Sequence, residues 1–242
     1  MNEPVETIFL KDNHVLKIYN DDNASNPREW DNLGTMICWH RRYNLGDTKD
    51  SKDFRDTEHL FEFLSGTHFD AEEFENVPEE EVWERISDRA HDNAVILPLS
   101  LYDHSGISMS VGSVRNDWDS GQVGWIYLTY ERARKEFKVL EGDLVEEWYG
   151  PNKGQHVPLR DIMVRILEGE VETYNQYLTG DTYRFKVIKK RSVTWINKDN
   201  PEEEVTEVEE ELIDSCDGFF GSDWEENGML GYIDQNLIPE KN

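Results

Sequence analysis

The chain is poor in cysteine and has no long apolar run. Cys38 and Cys216 are its two cysteines in 242 residues. They stand far apart and match neither a CxxC nor a zinc-ligand spacing. A single disulfide between them is one alternative, and a pair of reduced core thiols is the expectation. No stretch approaches the roughly 18 to 20 apolar residues that a membrane span requires. The opening MNEPVETIFLKDNHVLKIY has no basic region followed by an apolar one, so no secretory signal is read. A cytoplasmic protein without membrane association is expected. No GxGxxG or GKS/T sequence is present to cradle phosphates, and the seven histidines show no HxH or HExxH spacing. Neither a cofactor nor a metal is expected.

Positive charge is the other scarcity. There are 52 acidic residues against 25 basic ones, a net charge of −27. Residues 1–49 carry a net −2, and residues 93–198 are neutral with 14 of each sign. Residues 50–92 hold 15 acids and 4 bases, and residues 199–242 hold 15 acids and one base. Two segments therefore supply 25 of the 27 excess charges. A salt-adapted surface would spread acid evenly and avoid lysine, but twelve lysines remain and the middle is balanced. Plain solubility is a competing explanation of the acid. Direct contact with nucleic acid is disfavoured, because phosphate binding needs clustered Lys and Arg. Attraction to a basic partner follows instead. Spread over about 11,000 Å² of surface, the charges would be roughly fourfold more dilute than on duplex DNA. Concentrated on a quarter of that surface, they would match it.

Eight Trp, ten Tyr and ten Phe argue for a packed, partly aromatic core rather than disorder. VETIFL, a Lys11-Asp12-Asn13 turn and HVLKIY predict a β-hairpin. In REWDNLGTMICWHRRYNLGD, Leu33, Met36, Ile37 and His40 fall at helical spacing, which predicts a loop and a short helix turning Trp30 and Trp39 inward. Leu60, Phe61 and Leu64, then Val82, Trp83 and Ile86, mark two amphipathic helices in the first acidic segment. Pro78 followed by three glutamates reads as a helix start. Strands are predicted over 94–101, just after the Asp103–Gly106 turn, and over 123–128. A helix follows, capped by Thr129. Residues 158–178 read as a helix ended by Gly180-Asp181. TYRFKVIKK and EEVTEVEEELIDSC read as two strands joined by a turn near Asp199-Asn200-Pro201, with lysines and arginine of the first facing glutamates of the second. The expected fold class is α+β: a mixed, mainly antiparallel sheet core with peripheral acidic helices, in one domain spanning 1–242.

Several of these segments carry a resemblance. REWDNLGTMICWHRRYNLGD (28–47), LYDHSGISMSV (101–111), WDSGQVGWIYLTYERARKEF (118–137), GEVETYNQYLTGDTYRF (169–185) and DSCDGFFGSD (214–223) are similar to stretches of an acidic protein family of bacteriophages, plasmids and other mobile elements. In that family Trp commonly stands in place of Asp217. The resemblance implies a mobile-element origin and a microbial cytoplasm. It implies no established activity.

Asp103-His104-Ser105-Gly106 contains triad residue types, but neighbours in one turn cannot converge as a triad does. It reads as a turn in which Asp caps and Gly takes the left-handed conformation. Asp117-Trp118-Asp119-Ser120-Gly121-Gln122 lacks the closing Glu of a calcium loop and reads as an Asx-turn entering a strand. If the hydrogen bonds of His104 and Asp119 are buried, replacing these residues with Ala would cost about 1 to 3 kcal/mol. His40-Arg41-Arg42 is expected to pair with the neighbouring acidic segment. No catalytic residue is assigned. The candidate partner-binding carboxylates are Glu72, Glu73, Glu79, Glu80 and Glu81 in the first segment. In the second they are Glu202, Glu203, Glu204, Glu207, Glu209, Glu210 and Glu211. The reading that follows is an accessory protein that binds and inhibits a basic, nucleic-acid-acting host protein, such as a defence factor, by a DNA-mimic-like surface. One rival is an enzyme, for example a metal-dependent hydrolase, using Asp103, His104, Asp117 and Asp119. Another is a structural or assembly protein with a solubilising acidic surface.

Overall fold

A computed structural model describes residues 3–47, 50–112, 119–142, 144–147, 153–196 and 204–239. Along the chain run β1 (Glu6–Phe9), β2 (His14–Asn20), β3 (Thr35–Cys38), α1 (Thr57–Ser65), α2 (Glu79–Asn93), β4 (Ala94–Asp103) and β5 (Ile107–Val111). Then come β6 (Ser120–Thr129), α3 (Tyr130–Phe137), β7 (Leu144–Glu146), β8 (His156–Pro158), α4 (Leu159–Thr179), β9 (Thr182–Ile196) and β10 (Glu204–Phe220). The sheets are all antiparallel, and at 31% helix and 36% strand the fold is α+β. No helix among the described residues is long and apolar enough to cross a membrane. The chain divides into two compact units, one of residues 1–25 with 176–242 and one of residues 26–175.

The first unit is the four-stranded sheet β1-β2-β9-β10. Its hairpin turns on Asp12 and Asn13, both at positive φ (55° and 61°), as tight hairpin turns demand. Leu16, Ile18, Phe185, Val187 and Phe219 form its core, and Met229 and Ile233 of the C-terminal segment close over them. β2 pairs with β9 only from Tyr183 to Lys189, while the β9–β10 ladder continues to Ile196 and Glu204. Past Lys190 the two strands form a ribbon of their own. The turn expected near 199–201 lies outside the described residues.

The second unit is built on the sheet β3-β6-β4-β5. β6 is buried on both faces, which is why VGWIYL is almost continuously apolar. Ile37, Ile96 and Tyr127 meet α1 and α2 through Leu60, Phe61, Leu64, Val82 and Ile86. Residues alternate across a strand, so Ile126 points the other way, where Leu167 of α4 lies. Gly124 allows β3 and β6 to approach, since a Cβ there would fall 1.9 Å from the Ile37 carbonyl oxygen. A small pair, β7–β8, completes the unit. The helix starts are those expected: α2 begins after Pro78, and the Thr129 hydroxyl accepts from the Arg132 N–H.

The predicted helix around Leu33–His40 is instead strand β3. Helical spacing misled there because Met36 and Ile37 are both buried, on opposite faces of a covered sheet. Trp39 does pack inward, with its indole N–H donating to the Phe54 carbonyl at 2.9 Å. Trp30 does not, and is 48% exposed.

Beside β3 lies a buried ionic network. The Arg28 side chain is 2% exposed. Its Nε and Nη2 donate to the two Asp47 oxygens at 2.8 and 2.9 Å, its Nη1 to Glu170 Oε2 at 2.9 Å, and its Nη2 also to the Gly34 carbonyl. Glu170 Oε1 accepts from the Leu33 and Gly34 N–H groups, and Asp47 Oδ2 from the Met36 N–H. Burial opposes the guanidinium's charge, but the two carboxylates outweigh it and raise its pKa further.

Removing one partner from a buried charge network leaves the others uncompensated. Arg28→Met is therefore expected to lower unfolding free energy by about 3 to 5 kcal/mol in urea titrations. Arg28→Lys recovers only part of this, because an ammonium cannot fork across Asp47. A second prediction concerns Asp56, the α1 N-cap, whose carboxylate accepts from the His59 N–H at 3.0 Å. That backbone bond, then Arg55, holds its carboxyl below the usual range. A lowered folded pKa stabilises above the ordinary carboxylate range, and the benefit is lost as pH falls through it. Asp56→Ala should cost about 1 kcal/mol at neutral pH. Melting curves of the variant and parent should converge in acid.

Candidate functional site

The predicted carboxylates of the first acidic segment are exposed. Glu72 and Glu73 sit on a 3-10 turn, Glu72–Phe74, and Glu79, Glu80 and Glu81 form the first turn of α2. Two are partly answered. Arg89 forks across Glu73 at 2.7 and 2.8 Å and lowers its pKa, while Arg85 reaches Glu81 one turn back at 2.6 Å. Glu84, Asp88 and Asp92 extend the exposed row along the helix.

In the second segment, Glu207, Glu209, Glu210 and Glu211 line β10 and are exposed. Glu202 and Glu203 lie outside the described residues, and of Glu204 only the backbone, at the start of β10, is described. The ladder sets Glu209, Glu210 and Glu211 directly opposite Arg191, Lys190 and Lys189, as expected, whereas Lys186 faces Ser215 and not a glutamate. Arg191 closes on Glu211 at 2.8 Å. Lys17 from β2 reaches Glu210 at 2.8 Å, and its hydrogen bond is the main reason that the Glu210 pKa falls. Much of this row is therefore compensated within its own sheet. The two segments fall in different units.

A separate cluster forms where β4, β5 and β6 leave their sheet. Asp103 donates its backbone N–H to the Asp119 carbonyl at 2.8 Å, which ties the β4–β5 turn to the start of β6. His104 Nδ1 then lies 3.1 Å from Asp119 Oδ2. With Nδ1 facing the carboxylate, Nε2 is the acceptor of a neutral ring. Arg42 pairs with Asp103, and the Tyr43 hydroxyl reaches the other Asp103 oxygen at 3.3 Å. The His40 and Tyr43 rings stack at 5.0 Å. Arg42, Asp103, Asp119 and Gln122 line a cleft of about 290 Å³.

Two sequence expectations change here. Arg42 answers Asp103 and not the neighbouring acidic segment. Ser105 takes the left-handed conformation at φ 58°, with Gly106 at 158°. His104 and Asp119 belong to different segments, so a His–Asp dyad assembles although the DHSG turn alone has none. Asp117 lies outside the described residues. Among the described residues no three His, Cys, Asp or Glu side chains are placed to hold a metal. The rival enzyme reading names Asp103, His104 and Asp119, which lie in one cluster here, and segments 28–47, 101–111 and 118–137 meet at this cleft.

Cys38 and Cys216 are free thiols. Burial, reinforced by Asp47 and opposed by Arg28, pushes the Cys38 pKa up to about 12, so it is not a thiolate nucleophile at neutral pH. A hollow of about 350 Å³ lies over Arg28 and Asp47, which engage each other, and is also lined by Glu29, Asp31 and Arg132.

No protein family, no curated protein and no solved structure matches the chain.

His104 and Asp119 are 62% and 45% exposed, so the condition for a large stability loss is not met. His104→Ala and Asp119→Ala are each expected to change stability by about 0.5 kcal/mol or less in thermal melts. A loss above about 1 kcal/mol would mean that the dyad is structural.

Proposed function

We propose that the protein captures a basic, nucleic-acid-acting partner through its carboxylate surfaces and inhibits it by occupying the site meant for nucleic acid. The resemblance to proteins of mobile elements supports a host defence factor as that partner. The observation that carries the reading is the charge spacing on α2. Glu79, Glu80, Glu81, Glu84, Asp88 and Asp92 are all exposed. Over thirteen residue steps, about 20 Å of helix, this is one carboxylate per about 3.3 Å. One strand of B-DNA carries one charge per about 3.4 Å. Counting Arg85 and Arg89 against them leaves one net charge per about 5 Å, still a dense negative row. Glu81, Glu84, Asp88 and Asp92 recur at three- and four-residue spacing and share a face. The net charge is sparser than on one strand of DNA and about threefold sparser than on the duplex, so the helix supplies a negative row without reaching the charge density of duplex DNA.

The His104–Asp119 dyad favours a second reading, an acid–base enzyme or a small-ligand site at the cleft. There Nε2 of His104 would exchange a proton with a bound group, and Arg42 would hold an anionic portion. The two readings separate cleanly. His104→Ala abolishes turnover or ligand binding under the second and leaves partner capture untouched under the first.

For capture, the test is retention of host-lysate proteins on the immobilised chain. The Debye length shrinks from about 10 Å at 0.1 M salt to about 3 Å at 1 M, so bound partners should elute across that range and in the presence of duplex DNA. Replacing Glu80, Glu81 and Glu84 with Gln and Asp88 with Asn should weaken retention and slow association without unfolding the chain. Retention indifferent to salt, to these changes and to DNA would overturn the proposal.

A further inference from the structure

β10 is an edge strand of its sheet among the described residues. It is 17 residues long, and in the order β1-β2-β9-β10 it has a strand neighbour on one side among the described residues. From Thr206 to Ser215 every residue is exposed. In an antiparallel pair, alternate residues turn both backbone groups toward the neighbour and the rest turn them away. Across Thr206–Leu212 that leaves roughly three or four residues offering an N–H and a C=O outward. Such an edge is a template for another strand unless something blocks it.

The side chains determine which strand it can take. Glu207, Glu209 and Glu211 alternate, so they share one face of the ribbon, while Thr206, Val208, Glu210 and Leu212 share the other. Val208 and Leu212 are 61% and 58% exposed. A second copy of β10 laid along this edge would set carboxylate against carboxylate, which is destabilising. The inner edge shows what β10 accepts, because β9 meets Glu209, Glu210 and Glu211 with Arg191, Lys190 and Lys189. Lys17 and Arg191 already hold Glu210 and Glu211 at 2.8 Å, so Glu207 and Glu209 are the carboxylates that a strand on the outer edge would meet most directly.

We propose that the outer edge of β10 adds an extended basic segment of the partner as a fifth strand. In that segment Lys or Arg alternates with β-branched residues. The basic side chains lie along Glu207, Glu209 and Glu211, and the apolar ones along Val208 and Leu212. Backbone hydrogen bonds supply affinity and the alternation supplies selectivity. This rests on the reading of the protein as a captor of basic partners, and it specifies how one of its surfaces engages them.

The test uses the full chain and a fluorescent peptide of about nine residues that alternates lysine with valine and threonine. The comparison is the fully N-methylated peptide, which has the same charge and no backbone donor. At low salt the unmodified peptide is expected to bind at least about tenfold more tightly and to slow amide exchange across 206–212. Glu207→Lys with Glu209→Lys should weaken it about tenfold or more. The milder Glu207→Gln with Glu209→Gln should give a smaller loss and covers the case in which charge reversal disturbs the ribbon. Equal binding of both peptides without slowed exchange overturns strand addition and leaves electrostatic capture standing. Binding of neither peptide removes both. Concentration-dependent dimers that protect 206–212 without peptide would assign the edge to a second copy and overturn the proposal.

Discussion

The segment that brings Arg42 to the cleft is anchored by the charge of Arg28. A guanidinium that is almost wholly buried must spend its donors on fixed acceptors, and here these come from three places in the chain. Asp47 closes the loop after β3, Gly34 lies at the entry to β3, and Glu170 projects from α4. The carboxylates in turn hold the backbone N–H groups of Leu33, Gly34 and Met36. The segment between Cys38 and Asp47, which carries His40, Arg42 and Tyr43, is therefore tied at both ends, by strand pairing at one and by the network at the other. Gly46 shows how tight that anchorage is. It takes φ 63°, its N–H donates to the buried Tyr174 hydroxyl, and a Cβ would meet the Met36 carbonyl oxygen at 2.6 Å. Geometry this constrained keeps Arg42 within reach of Asp103.

Net charge is an imperfect guide to electrostatic surface, and the two acidic segments show why. They carry the same number of acids, 15 each. On β10 the acids face a basic neighbouring strand, and Lys17 reaches across from β2. On α2 the nearest bases are Arg85 and Arg89, which occupy two of the carboxylates. The helix retains a field that a basic groove would feel, whereas the ribbon offers its charge mainly to something close enough to pair with it. Long-range attraction suits the first surface and short-range strand recognition the second.

The cleft and the acidic surfaces are distinct chemistries on one chain. A His–Asp pair, an Arg–Asp pair and a stacked His–Tyr pair gather beside the cleft. The His104–Asp119 pair is exposed, whereas Asp103, His40 and Tyr43 are half-buried. An exposed pair contributes little to stability and is open to a ligand.

Local structure was legible wherever a short-range rule applied. The positive-φ Asp12-Asn13 turn, the Pro78 start of α2, the Thr129 cap and the Lys/Arg-to-Glu register of β9 and β10 all follow from near neighbours or strict alternation. So did the α+β class and the location of excess charge. The β3 segment escaped because a strand buried on both faces loses its period-2 signature, and two adjacent apolar residues then resemble one side of a helix. The Arg28 network escaped because Glu170 is 142 residues away, and nothing in an RE dipeptide announces burial. His104 and Asp119 were legible as residues of the rival enzyme reading, but not as a contacting pair, since they meet only when β4 and β6 pair. Composition and periodicity determined which residues this protein exposes as charge. Only the tertiary structure decided which charges cancel, because cancellation depends on separations of a few ångströms that the pairing of distant strands creates.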